Sequence, residues 1–119
     1  MLAIKLDITT IADGSVTVTV GLNSAPRAVY AVEWAVGTLA TGVDAVISAT
    51  GTTSGVDATL LTLTNADANA TYYPRVLESD NAGAALTTRT YPIADGDLKV
   101  VVTSGGNAKT GAVVVYLLE

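Results

Sequence analysis

Cysteine and histidine are both absent from this chain of 119 residues, and charged residues are scarce at 14%, against about 25% in ordinary soluble domains. Without those two residue types there is no Ser-His-Asp triad, no thiol nucleophile and no imidazole general base. The usual zinc sites and iron–sulfur clusters lose their ligands as well. Disulfides cannot form, so stability has to come from a buried core or from assembly, and cysteine usage says nothing about redox compartment. A chain of this length buries roughly 65% of its unfolded surface, enough to own one core.

Basic residues are also few. Six Lys and Arg stand against eleven Asp and Glu, for a net charge of −5, and the six are scattered singly. A nucleic-acid surface needs clustered cations to displace counterions, so nucleic acid is not an expected partner. The mean hydropathy of +0.47 looks membrane-like. Yet the longest charge-free stretch, Gly14 to Pro26, is 13 residues, short of the ~20 a spanning helix requires. Lys5 and Asp7 interrupt the start of the chain, which therefore lacks the apolar run of a signal peptide. These properties lead us to expect a soluble intracellular product with no membrane partner. With Met1 at one end and a strand at the other, we expect a complete small gene product.

What the chain does contain is Ala, Thr and Val: 19, 18 and 16 residues. Their arrangement is that of strands. Ile4, Leu6 and Ile8 alternate with Lys5, Asp7 and Thr9, and Val16, Val18 and Val20 with Thr17 and Thr19. Asp13-Gly14 between them is a tight-turn signal, because Gly accepts positive φ. Residues 1–20 therefore read as a β-hairpin. Further strands are expected over Tyr30–Val36, with Tyr30, Val32, Trp34 and Val36 on one face, and over Val43–Thr50, before a Gly51–Gly55 loop. Ala58–Thr64 reads as buried on much of both faces, and Asn65–Ala70 as a link with room for one helical turn. Tyr72–Glu78 carries Pro74, which belongs at an edge or bulge. Leu86–Thr90, Leu98–Thr103 and Ala112–Leu118 complete the set, with turns at Asn81-Ala82-Gly83, Asp95-Gly96-Asp97 and 104–107. No segment sustains a 3.6-residue apolar period. Eight or nine short strands predict one all-β domain over residues 1–119, an antiparallel β-sandwich or a jelly-roll or barrel.

Motifs with chemical associations have plainer readings beside them. Asp95-Gly96-Asp97 is a fragment of a calcium loop without its distal Glu; a turn explains it, and whether Asp95 and Asp97 bind an ion stays open. The run from Ser104 to Gly111 has the Gly, Lys and Thr of a phosphate-binding loop, but Lys109-Thr110 opens a strand, not a helix, so we read it as a hairpin loop. Trp34 reads as core, and Tyr72 and Tyr73 point to opposite faces of their strand. Glu33, Glu78 and Glu119 show no pairing that suggests carboxylate catalysis, and we expect no enzyme and no cofactor.

The last strand is apolar on both faces from Val113 to Leu118. Such a strand either lies centrally between two layers or presents one face to a partner. Low charge density favours the partner, so Val113, Val115 and Leu117 become candidate interface residues.

Three stretches of the second half look familiar. They are Tyr72-Tyr73-Pro74-Arg75-Val76, the segment from Asp80 to Thr87, and Leu98-Lys99-Val100-Val101-Val102 leading into the run from Ser104 to Gly111. Their order resembles the small virion structural proteins encoded beside the capsid genes of tailed bacteriophages, over residues 70–119. The resemblance implies a head decoration or cement protein, a small β-sandwich or jelly roll on the capsid surface. Its expected partners are the major capsid protein or other virion proteins, with further copies of itself in a homo-oligomer or multivalent assembly, and its expected place is the virion head after assembly in the host cytoplasm. Neck and tail roles stay open. It transfers no catalytic or contact residue. A carbohydrate- or surface-binding β-sandwich is the alternative, and it requires an exposed aromatic platform.

Overall fold

Alternation of apolar and polar residues gives almost every segment one face to bury, and the chain resolves this by distributing most of its strands over two sheets. The computed structural model describes residues 1–22, 26–52 and 55–119; Thr53 and Ser54 of the expected Gly51–Gly55 loop lie outside them. Among the described residues the strands are β1 (Leu2–Thr9), β2 (Val16–Gly21), β3 (Arg27–Ala35), β4 (Asp44–Ala49), β5 (Ala58–Leu63), β6 (Ala70–Tyr72), β7 (Val76–Ser79), β8 (Ala85–Thr90), β9 (Ile93–Ala94), β10 (Asp97–Thr103) and β11 (Thr110–Leu117). One sheet has the order β1-β11-β3-β6, with β9 also paired to β3; the second has the order β2-β10-β4-β5. All pairings are antiparallel. The architecture is therefore the expected all-β sandwich, and its first sheet curls partway to a barrel.

The core fills the space between the inner faces. Leu6 and Ile8 of β1, Val32 and Trp34 of β3, Ile47 of β4, Leu98, Val100 and Val102 of β10, and Val113, Val115 and Leu117 of β11 are all sealed from solvent. Burying each such side chain contributes about 1.5–3 kcal/mol. The Trp34 indole N–H donates to the Ala66 carbonyl at 2.9 Å, so its one polar atom is satisfied inside the core.

Two expected hairpins are arches between sheets. β1 pairs with β11 and β2 with β10, so Asp13-Gly14 does not join paired strands, and neither does the loop from Ser104 to Gly111. Alternation marks a strand's buried face but not its neighbour. The arches stack on each other. The Gly105 N–H donates to the Gly14 carbonyl at 2.8 Å, and a Cβ on Gly14 would come within 2.9 Å of the Gly106 nitrogen. Thr10, buried beneath them, donates through Oγ1 to the Gly106 carbonyl at 2.5 Å and accepts from the Lys109 N–H at 2.9 Å.

Three smaller expectations change as well. β5 is the edge of its sheet, buries only Leu60 and Leu63, and exposes Ala58, Thr59 and Thr62. Residues 65–69 form bends with no helical turn, opening with Asn65 at φ 50°. The expected Tyr72–Glu78 strand is two strands, because Pro74 ends β6 before β7 begins.

Candidate functional site

β7 and β8 form a sheet of their own that pairs with neither layer of the sandwich. Every residue of both strands is exposed, Val76, Leu77 and Leu86 included. The tip is self-sufficient. Asp80 accepts at Oδ1 from the Ala82 and Ala84 N–H groups, both at 2.9 Å, while its own N–H donates to the Ala84 carbonyl. The result is an arm standing away from the body.

Its root is built at a gap in the ladder along β3. On one side β6 pairs Val32 with Tyr72, a register that would bring Pro74 opposite Tyr30. On the other, β9 pairs Ala28 with Ile93, and the Val29 N–H reaches the Pro92 carbonyl at 2.9 Å. Pro74 has no N–H to offer Tyr30. Arg75 fills the vacancy: its Nη1 donates to the Tyr30 carbonyl at 3.0 Å and to the Pro74 carbonyl at 2.6 Å.

Two tyrosines, Tyr30 and Tyr91, lie against that guanidinium, and a third, Tyr73, packs on Tyr30. Tyr73 meets Tyr30 edge-on at 5.8 Å between centroids, and Tyr91 lies 6.3 Å from Tyr30. The Arg75 Cζ sits 4.2 Å from the Tyr91 ring centroid and 5.7 Å from that of Tyr30. Each aromatic pair of this kind contributes about 0.5–1.5 kcal/mol, and the stacked guanidinium about 0.5–2 kcal/mol. The collar thus ties both ends of the arm to the middle of β3. A pocket of about 190 Å³ lies beside it, lined by Met1, Tyr30, Ala31, Tyr73 and Tyr116.

Tyr30 reaches this surface through a bulge. Tyr116 of β11 is opposite Ala31, and Leu117 is opposite Val29, which leaves Tyr30 as an extra residue. The bulge turns Val29 inward and Tyr30 outward, so Tyr30 does not share the face of Val32 and Trp34. Sequence reading missed this collar. Its signal was the repeated Tyr-Pro dipeptide, Tyr73-Pro74 and Tyr91-Pro92, bracketing the arm.

The other candidates separate from the arm. Val113, Val115 and Leu117 each have 0% exposure, so they are core and not a surface for a partner. Within its sheet β11 lies between β1 and β3; its core face carries Val113, Val115 and Leu117, whereas Val114 and Tyr116 on the other face are half-buried. Asp95-Gly96-Asp97 is a turn held by Thr50 and Gly51, whose N–H groups donate to the Asp97 and Asp95 carbonyls. Among the described residues no three acidic groups gather as metal ligands. Three amides of the Ser104–Gly111 loop already have acceptors within the fold: Gly105 N–H on the Gly14 carbonyl, Lys109 N–H on Thr10 and Thr110 N–H on Thr38. Glu33 is exposed on β3, Glu78 is on the arm, and Glu119 meets the N-terminal amine at 3.3 Å. Tyr73 is 57% exposed, whereas Tyr72 packs against the core.

Close to the arm's root lies an apolar hollow of about 350 Å³, lined by Pro26, Ala49, Gly51, Val56, Ala58, Ile93 and Asp95. Val56 and Ile93 are more than half exposed there. Comparison with protein families, with curated proteins and with solved structures finds no match for this chain.

Proposed function

We propose that the chain is a structural protein of a phage virion, a decoration or cement protein that binds the head surface and reinforces it. The observation that carries this reading is the arm: a two-stranded sheet, exposed along its whole length and pinned at its root. An isolated hairpin is only marginally stable in water, and exposed Val76, Leu77 and Leu86 add a further cost until a neighbour covers them. A protein repeated over a shell gains from such a contact, because weak docking per copy is multiplied by the number of copies. The resemblance of residues 70–119 to phage head proteins supports the same reading, and the arm lies within that stretch.

The carbohydrate-binding alternative draws less support. Trp34 is core, and the collar tyrosines face one another and Arg75 instead of forming a flat platform.

Mass spectrometry of density-banded virions, whole and tail-free, tests the proposal. The expected result is many copies per head. Recovery only with tails moves the protein to the neck or tail, and absence from both samples removes the virion reading.

A further inference from the structure

We propose that the outward face of β3 is a docking groove for a proline-containing extended segment of a partner protein, with a Lys or Arg of that segment paired to Glu33. The inference concerns a surface separate from the arm and does not rest on the virion reading.

The groove begins at the tyrosines beside the collar. Tyr116 of β11 stands directly opposite Ala31. On the other side, the β3–β6 register carried one residue past the Val32–Tyr72 pair brings Tyr73 opposite Ala31 as well. Two tyrosines therefore flank one alanine, two strand spacings apart, which is about 9.6 Å. Carbon atoms in contact stand about 3.5–4.0 Å apart, so the opening takes one ring with a wall on each side. The hollow of about 190 Å³ between Met1, Tyr30, Ala31, Tyr73 and Tyr116 is that opening. Tyr30 stands in its wall nearly perpendicular to Tyr73, with 85° between the ring planes.

Charge decides what fits where. Two cations near the slot are already engaged: the Met1 amine meets Glu119 at 3.3 Å, and Arg75 donates to the Tyr30 and Pro74 carbonyls. The slot thus suits a neutral ring. Two residues along β3, ~6.6 Å at strand rise, Glu33 leaves the same face between Val114 and Thr71. Its side chain is exposed and has no partner among the described residues, whereas Asp7 on that face meets Lys5 at 3.4 Å. Asn69 and Thr71 stand with Glu33 in a second hollow of about 330 Å³. The Asn69 side-chain oxygen accepts from the Val36 N–H at 2.9 Å, which leaves its amide N–H groups to donate.

Backbone pairing limits the mode of binding. β3 is bonded to β11 on one side and to β6 on the other, so a partner has to be read by its side chains and not added as a strand. Polyproline II meets that requirement: it makes no internal hydrogen bonds, and it docks in aromatic-lined grooves with little conformational entropy left to lose. At ~3.1 Å per residue, a cation two or three residues from the slotted proline lies ~6–9 Å along, within reach of Glu33. An ion pair so placed sets direction as well as affinity. A sugar ring is the poorer occupant, because it stacks on an open aromatic face, and the perpendicular Tyr30 and Tyr73 leave a slot instead.

The test uses the full chain and the blocked peptide Arg-Ala-Pro-Pro-Ala-Arg, which offers a cation on either side of proline. In an amide NMR titration, saturable shifts are expected along β3 and at the residues lining the two hollows, with the β10 amides unmoved. Replacing both prolines of the peptide by Ala, or Tyr73→Ser in the protein, should raise the dissociation constant about tenfold. Glu33→Gln should weaken binding severalfold and flatten its dependence on salt. Tyr73 and Glu33 are exposed, so Trp34 emission should match the parent in both variants and separate lost docking from lost folding. No saturable shift at millimolar peptide, shifts confined to other strands, or an affinity indifferent to the prolines and to Tyr73→Ser overturns the proposal. Saturation of the same residues by maltohexaose and not by the peptide also overturns it, and assigns the groove to a glycan. Peptide binding by a protein absent from virions leaves the groove standing while the virion reading falls. A protein abundant on heads whose groove takes no peptide does the reverse.

Discussion

At Gly96 the backbone turns with φ of 86°, and a Cβ there would collide with Thr52 Oγ1 and come within 2.6 Å of the Thr52 nitrogen. Gly96→Ala is expected to destabilise the fold by about 1–3 kcal/mol, read as a lower denaturation midpoint at unchanged slope. Asp13 makes a subtler local contribution. The Ser15 hydroxyl donates to its carboxylate at 2.7 Å and the Ser15 N–H at 3.0 Å. Both contacts favour the ionised form and hold its pKa below the usual carboxylate value, the hydroxyl first. Because the folded pKa is depressed, the stabilisation is complete above the ordinary carboxylate pKa and is lost as pH falls through the lower, folded value. In a carboxyl NMR titration, Ser15→Ala should move the Asp13 midpoint upward.

Arg75 shows how one side chain stands in for a missing strand residue. Pro74 and Pro92 interrupt the ladder on either side of Tyr30, and the guanidinium satisfies the carbonyl left between them. Arg75→Ala removes that donor and the stack on Tyr91, at a cost of about 1–3 kcal/mol. The effect should be local: amide exchange across residues 76–90 accelerates while β10 and β11 amides keep their protection. At β11 the expectation is opposite in kind. Val115 is sealed in the core, so Val115→Ala should lower global stability by roughly 2–4 kcal/mol, with every strand's exchange rising together. The contrast separates an element that serves the core from one that serves a surface.

The whole molecule is longer than its chain length implies. Its radius of gyration is 14.8 Å and its extents are 47 × 30 × 25 Å, whereas a compact domain of this length has a radius of about 13.5 Å. The arm accounts for the excess, since it packs on neither sheet. Replacing residues 76–90 by a short Gly-containing turn should therefore leave cooperative unfolding and the β-type circular dichroism in place, because no arm side chain belongs to the core cluster. On the proposed virion role, the same deletion should abolish head binding in a virion reconstitution.

Most strand positions, the Gly-containing turns and the all-β class were legible from the residues alone, because period-two alternation and Gly-containing turns are local physics; the break at Pro74 and the short β9 were not. Leu6 and Ile8 in β1 and Leu98, Val100 and Val102 in β10 lie inward as their spacing requires. Tertiary structure alone decided which strands became neighbours. An arch and a hairpin share the same alternation, so pairing of β1 with β11 instead of β2 had no local mark. The role of Val113, Val115 and Leu117 was undecided for a related reason: a central strand and an interface strand are equally apolar, and only the layers above and below tell them apart. The collar depended on a bulge at Tyr30 and on two prolines reaching the same gap in β3 from opposite directions. Those residues are far apart in sequence, and only folding brings them to one place.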